Sequence, residues 1–172
     1  MNQGGPESVY TQLDWKFREE VASVHGGENL KKCYQCGTCN ASCPVRHLDQ
    51  KYNPRKIIRM AVLGMRDRVL SSDFIWLCSS CYTCHERCPQ DVRLSEVMRA
   101  LRNLAVKEGY AHPSYLAQAE AIASHGRLYE IEEFDNKRRQ RMNLPSLPTK
   151  CEEVARILEL TGVDKIVRGG KS

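Results

Sequence analysis

A mainly α-helical fold is predicted by three observations. Apolar residues recur at helical spacing in each long segment, strand-like alternation of β-branched residues is scarce, and one cysteine run occurs twice, each time with a helical stretch after it. The second copy follows the first after 45 residues, so the chain reads as a pseudo-repeat of motif and helix with helical extensions at both ends.

The elements follow in order. Leu13, Phe17, Val21 and Val24 share one helical face, Thr11 and Asp14 resemble a weak capping box, and Gly26-Gly27 stops the segment. That stripe reads as core, with partner docking as its rival use. Between the cysteine runs lie 34 residues, too many for a hairpin, and they carry a helix signal of their own. Asn53 suits the cap and Pro54 the first helical position. Ile57, Ile58, Ala61, Val62 and Met65 then define an apolar face, with Arg55, Lys56, Arg59, Arg66 and Arg68 on the other side. After the second run, Leu94, Val97, Met98, Leu101, Leu104 and Ala105 mark a longer helix that Gly109 ends.

Beyond Tyr110 a charged tail begins. His112-Pro113 is a break, Tyr115 to Ser124 is helical, and Leu144-Pro145-Ser-Leu-Pro148 is a stiff, extended link. Thr149 and Glu152 make a capping box for a last helix bearing Val154, Ile157, Leu158 and Thr161, ended by Gly162. The segments group as an N-terminal helical segment (1–28), a cysteine-bearing domain (29–110) and a C-terminal helical tail (111–172) for packing or docking to a neighbour.

Chemistry concentrates in the cysteines. Eight of the nine fall into Cys33-Tyr-Gln-Cys36-Gly-Thr-Cys39-Asn-Ala-Ser-Cys43-Pro44 and Cys78-Ser-Ser-Cys81-Tyr-Thr-Cys84-His-Glu-Arg-Cys88-Pro89, which is C-x2-C-x2-C-x3-C-P twice. This run holds cubane iron–sulfur clusters in two-cluster ferredoxins, where three thiolates wrap one face of a cube and the fourth cysteine crosses to the other cube. Carried over here, Cys33, Cys36, Cys39 and Cys88 hold one 4Fe-4S cluster, and Cys78, Cys81, Cys84 and Cys43 hold the second. Crossed ligation makes the two sites interdependent.

Other uses of these cysteines fit less well. Structural zinc takes C-x2-C pairs separated by a longer loop, which neither the three-in-step spacing nor the closing Cys-Pro matches. Disulfides belong to exported chains, whereas Asn2 to Glu7 are polar and no apolar leader precedes the first run, which predicts a reducing, cytoplasmic setting. Cys151 lies outside both runs and reads as a plain free thiol. His85 is redundant as a ligand while all the cysteine positions are filled.

Around the runs, Gly37 lets the backbone curl so that amides face cluster sulfurs, and the prolines after Cys43 and Cys88 redirect the chain. Phe74, Ile75, Trp76 and Leu77 are expected to shield a cluster from water. Arg46, Arg87 and Arg93 flank the runs and would favour the reduced, more negative clusters.

Composition limits the remaining function classes. With 27% charged residues and a mean hydropathy of −0.52, no stretch approaches the roughly 18 uncharged apolar residues of a membrane span, so direct membrane insertion is not expected. The formal charge of +5 counts the thiols as neutral. Eight ligating thiolates remove eight units and two oxidised cubes restore about two each, which leaves roughly +1. Lys137-Arg138-Arg139-Gln140-Arg141 is then a solvated helix face, and without an aromatic-interleaved basic groove no nucleic-acid partner is expected. No nucleophile–base pair, phosphate-cradling glycine loop or dinucleotide fingerprint is present, and no Cys-Cys-Gly triplet, so no catalytic residue is assigned.

Cys33-Tyr-Gln-Cys-Gly-Thr-Cys39, Trp76-Leu-Cys-Ser-Ser-Cys-Tyr-Thr-Cys-His-Glu-Arg-Cys-Pro89 and Ala100-Leu-Arg-Asn-Leu-Ala-Val-Lys-Glu-Gly109 closely resemble the C subunit of the soluble heterodisulfide reductases. A weaker likeness continues through Glu153 to Lys165, with Leu160-Thr-Gly-Val-Asp164. The resemblance implies an α-helical ferredoxin-like domain with two cubane clusters. It also implies electron transfer between the A and B subunits of that family, the first bearing flavin and the second, rich in cysteine, reducing the disulfide of coenzymes M and B. In the complete complexes a hydrogenase or formate dehydrogenase supplies electrons, and the flavin bifurcates them between heterodisulfide and ferredoxin. Rival relays, the C subunit of an anaerobic glycerol-3-phosphate dehydrogenase or a quinone-linked protein, predict fused cysteine-rich domains or membrane association that the sequence does not display. A protein with purely structural clusters is the remaining alternative, and redox inertness would mark it.

Overall fold

Caps and turns set the helix boundaries. The computed structural model describes residues 13–169, which divide after Tyr110 into two units. The first contains α1 (Phe17–Ser23), α2 (Thr38–Ala41), α3 (Pro44–Leu48), α4 (Pro54–Val62), α5 (Arg66–Leu70), α6 (Thr83–Glu86) and α7 (Leu94–Lys107), with 3₁₀ turns at Leu30–Lys32 and Asp73–Leu77 just before each cysteine run. The second contains α8 (Pro113–His125), α9 (Glu133–Arg141), α10 (Glu152–Thr161) and α11 (Val163–Gly169). No strand occurs among the described residues, and the fold is mainly α, as expected.

Helix α4 starts where its sequence says it should. Asn53 Oδ1 accepts the Lys56 amide at 2.9 Å and Pro54 takes the first helical position, where its missing N–H costs nothing. Its buried face, Ile57, Ile58 and Ala61, joins Phe17 and Val21 of α1, Val69 and Leu70 of α5, and Val97, Met98 and Leu101 of α7 in one apolar cluster. Burying each Leu, Ile, Val or Phe of this set contributes roughly 1.5–3 kcal/mol. On this base the short helices α2 and α6 pack against each other, which brings the two cysteine runs side by side.

Three boundaries differ from the sequence reading. Helix α1 begins at Phe17, not Leu13, and Thr11 lies outside the described residues. The cause is a turn at Asp14: its Oδ1 accepts the Lys16 amide at 2.9 Å, its carbonyl accepts the Phe17 amide at 3.1 Å, and its own N–H donates to Gly64 O at 2.8 Å. Helix α4 ends at Val62, and Met65 leads instead into α5, which the periodicity did not separate. Gly64 makes that break with φ 78°, and a Cβ there would lie 2.2 Å from Asp14 O. Cys151, not Thr149, heads α10, and no side chain caps it; Glu152 and Glu153 supply favourable negative charge in its first turn instead.

In the second unit, His112 opens α8 by accepting the Ser114 amide, so the expected break is also a start signal. The Leu144–Pro148 link is non-helical and held down by Asn136, which donates to Leu147 O at 2.9 Å and accepts the Leu147 amide at 2.8 Å.

Candidate metal centres

Each cysteine run is bent at the same two places. Gln35 and Gly37 in the first, Ser80 and Tyr82 in the second, have φ of 66°, 89°, 52° and 61°. Two left-handed residues coil the chain between cysteines, and the second of each pair is the N-terminal flank of α2 or α6. Gln, Ser and Tyr each hold this conformation at a cost of about 1 kcal/mol or more. Such strain persists only where the surroundings impose it.

Two clefts result. Cys33, Cys36, Cys39 and Cys88 line the first, and Cys43, Cys78, Cys81 and Cys84 line the second. Each closing cysteine therefore stands with the other run's triplet. Cys84 also borders the first cleft, and Leu94, from the first turn of α7, borders both. Cys36 and Cys81 are exposed, whereas the other six are partly buried. Cys33, Cys39, Cys43, Cys78, Cys84 and Cys88 pack directly against the apolar core.

Hydrogen-bond donors surround the sulfurs. Gln35 Nε2 lies 3.3 Å from Cys33 Sγ, and the Val92 amide donates to Cys88 Sγ at 3.4 Å. Thr38 Oγ1 is 3.4 Å from Cys36 Sγ, and Thr83 Oγ1 is 3.5 Å from Cys81 Sγ. Bonds from these threonine side chains, then from their backbone amides, hold both thiols below the ordinary range. Cys39 and Cys84 behave oppositely: burial, reinforced by neighbouring thiolates, pushes them up to about 11 and about 12. Crowding anionic sulfurs is unfavourable by itself, and a positively charged iron core is what such a donor set suits. Among the described residues no three His, Cys, Asp or Glu side chains are gathered around a single point.

Several expected neighbours stand elsewhere. His85 lines neither cleft, and its Nδ1 lies 3.4 Å from Ser95 Oγ. Cys151 belongs to the second unit, with Sγ 3.1 Å from Glu153 Oε2. Phe74 to Leu77 form the 3₁₀ turn before the second run and wall neither cleft; Val92 and Leu94 cover the first, and Val45, Tyr52 and Leu94 the second. Among the flanking arginines, Arg46 donates to Tyr52 O at 3.2 Å and Arg93 pairs with Asp91.

Three residues near the clefts escape motif reading. Arg55 borders the first cleft over Gly37. Tyr52 is buried at the second, and its phenol is pushed well above the ordinary range by burial and then by the Cys78 thiolate, to which it hydrogen-bonds. Arg102 on α7 donates to Ile75 O at 2.7 Å and to Cys78 O at 2.6 Å, anchoring the start of the second run. The readable signal for Arg102 is a cation one turn beyond Met98, on a face that is otherwise apolar.

Residues 29–92 match the 4Fe-4S dicluster domain family. The chain is similar to the C subunit of the H2:CoB-CoM heterodisulfide, ferredoxin reductase of Methanothermobacter marburgensis, 34% identical over 162 residues that cover 90% of this chain and 86% of that one. It is also similar to the C subunit of the ferredoxin:CoB-CoM heterodisulfide reductase of Methanosarcina mazei, 37% identical over 82% of this chain and 88% of that one. With the C2 subunit of the H2/formate:CoB-CoM heterodisulfide, ferredoxin reductase of Methanococcus maripaludis it shares 53% identity over 53% of this chain and 45% of that one. Donor set, clefts and domain match agree: the chain carries two 4Fe-4S clusters. Among the described residues no helix is long and apolar enough to cross a membrane.

Proposed function

The chain belongs to the family of heterodisulfide reductase iron–sulfur C subunits, and on that premise we propose that it is the electron relay of such a complex in the cytoplasm. It links the A and B subunits, the first holding flavin and the second reducing the disulfide. A bound cluster supplies one-electron redox chemistry. The protein holds, orients and shields: Cys33, Cys36, Cys39 and Cys88 ligate at the first cleft, and Cys43, Cys78, Cys81 and Cys84 at the second. Domain 29–110 is the redox unit, 1–28 its N-terminal helical segment, and 111–172 a packing or docking tail.

The shared wall carries this reading. Because Cys84 and Leu94 border both clefts, the two centres lie against the same side chains, and an electron passes between them without crossing solvent. Exposed Cys36 and Cys81 put one edge of each cleft at the surface, which gives the path two ends. Two relatives' names put hydrogen, or hydrogen or formate, before heterodisulfide and ferredoxin together, which supports a hydrogenase or formate dehydrogenase upstream and bifurcation to ferredoxin, whereas in the third ferredoxin stands on the donor side. CoM-S-S-CoB is the proposed terminal acceptor, reduced on the disulfide-reducing partner and not here.

Anaerobic reconstitution tests the relay. Protein with both clusters should carry about eight irons, and fewer than about six would overturn the two-cube form. The flavin-bearing and disulfide-reducing partners, supplied with reductant and heterodisulfide, should turn over only when this chain is added. Equal rates with and without it would overturn the relay.

A further inference from the structure

Helix α4 has a feature that the clefts do not use. With α5 it forms an open groove bordered by Arg55, Lys56, Arg59 and Arg68, with Met60 and Leu63 among them. None of these four cations pairs with a carboxylate among the described residues. Arg66, at the start of α5 and close in sequence to all four, binds Asp14, Glu20 and Glu108. Among the described residues, one arginine is thus surrounded by three acids while its four neighbours pair with none. Nor do these charges simply offset cluster thiolates: Arg55 borders the first cleft, but Lys56, Arg59 and Arg68 border neither.

Position gives the groove a use. Gln35 and Arg55 line both the groove and the first cleft, so whatever settles in the groove lies against that cleft's wall. We propose that this groove docks an acidic face of a partner protein, which exchanges electrons with the centre held by Cys33, Cys36, Cys39 and Cys88; the inference rests on the relay reading. Unpaired cations steer an acidic surface and fix its orientation. The half-exposed Met60 and Leu63 supply the adaptable apolar contact that such an interface needs at its middle. A small polyanion would require donors converging on a closed pocket. Here the cations are splayed over two helices around apolar side chains, which suits a protein face.

The test uses the full, cluster-loaded chain carrying K56E, R59E and R68E, none of which borders a cleft. Iron content and the EPR spectrum of the reduced protein should match the wild type, which reports an intact redox unit. Binding to the separately purified flavin-bearing and disulfide-reducing partners is then measured anaerobically at low and high salt. The wild type should bind one of them in a salt-sensitive manner, and the variant should bind that same partner about a hundredfold more weakly while keeping the other. Should the triple reversal lose iron, the neutral K56Q, R59Q, R68Q chain takes its place, with a smaller but still selective loss expected. Wild-type affinity of the variant for both partners overturns the proposal. So does tight binding of inorganic pyrophosphate, or self-association of the chain, that the reversals abolish while partner binding persists. Failure of the wild type to bind either partner is a different result, and it overturns the relay reading itself.

Discussion

Tyr82 holds the left-handed backbone conformation, at φ 61°, that Gly37 holds at φ 89° in the equivalent place of the first cysteine run. Each offers its carbonyl to a short helix: the His85 amide donates to Tyr82 O and the Asn40 amide to Gly37 O, both at 2.9 Å. The conformation is therefore imposed by the spacing of the cysteines and not by the residue that adopts it. The first run meets the demand with glycine, and the second meets it with strain.

Two glycines should accordingly respond differently to alanine. Gly37→Ala costs about 1–2 kcal/mol, since the added Cβ meets only the Arg55 guanidinium, 3.4 Å away, and the penalty is that of the backbone alone. Gly64→Ala costs distinctly more, because its Cβ falls 2.2 Å from the Asp14 carbonyl oxygen and the turn at Asp14, ahead of α1, must shift to make room. Anaerobic urea unfolding of the cluster-loaded protein measures both, and equal losses would contradict the distinction.

Crossed ligation has a signature of its own. Cys88→Ser should change the EPR signal that Cys36→Ser changes, and Cys43→Ser the signal that Cys81→Ser changes, because each pair shares a cleft. Cys84→Ser should disturb both signals, as its side chain borders both clefts. If Cys88→Ser instead perturbs only the signal sensitive to Cys81, each run keeps its own fourth ligand and the crossing is wrong.

Arg102 ties α7 to the second run through two charge-assisted bonds to carbonyls, with its guanidinium 6.0 Å from the Trp76 ring centroid. Arg102→Met leaves Ile75 O and Cys78 O without these donors and should cost about 2–4 kcal/mol. Arg102→Lys, which reaches one carbonyl at a time, should recover part of that loss. Thermal unfolding of the loaded protein compares the three; a lysine variant no better than methionine would assign the effect to packing.

Local chemistry was legible in the sequence and long-range partnership was not. Asn53-Pro54 announces α4 because cap and helix are neighbours, and the eight cysteines announce iron because a cube needs several thiolates close together. Arg102 is different: its carbonyl partners lie 27 and 24 residues upstream, and no periodicity links them to it. Tyr52 sits in the polar stretch between α3 and α4, where an aromatic reads as surface until the fold buries it against the second cleft. Periodicity runs α5 into α4, because the contact that fixes the Gly64 break comes from Asp14, whose amide donates to Gly64 O from 50 residues upstream.

The two clefts differ in the donors aimed at their sulfurs, and that difference makes the centres separable. Gln35 Nε2 approaches Cys33 Sγ in the first cleft, and the Tyr52 hydroxyl binds Cys78 in the second. A donor to a ligand sulfur stabilises the reduced, more negative centre over the oxidised one, so removing it lowers the potential. One such bond, at about 0.5–1.5 kcal/mol, corresponds to on the order of 20–60 mV for a single electron. Gln35→Leu should lower one of the two potentials in an anaerobic EPR titration, and Tyr52→Phe the other; a shift of the same potential by both variants would contradict the placement. Because Gln35 also borders the basic groove, the potential it moves belongs to the docking end. Electrons run from the lower potential to the higher, so this assignment says whether the partner seated on α4 delivers electrons or takes them away.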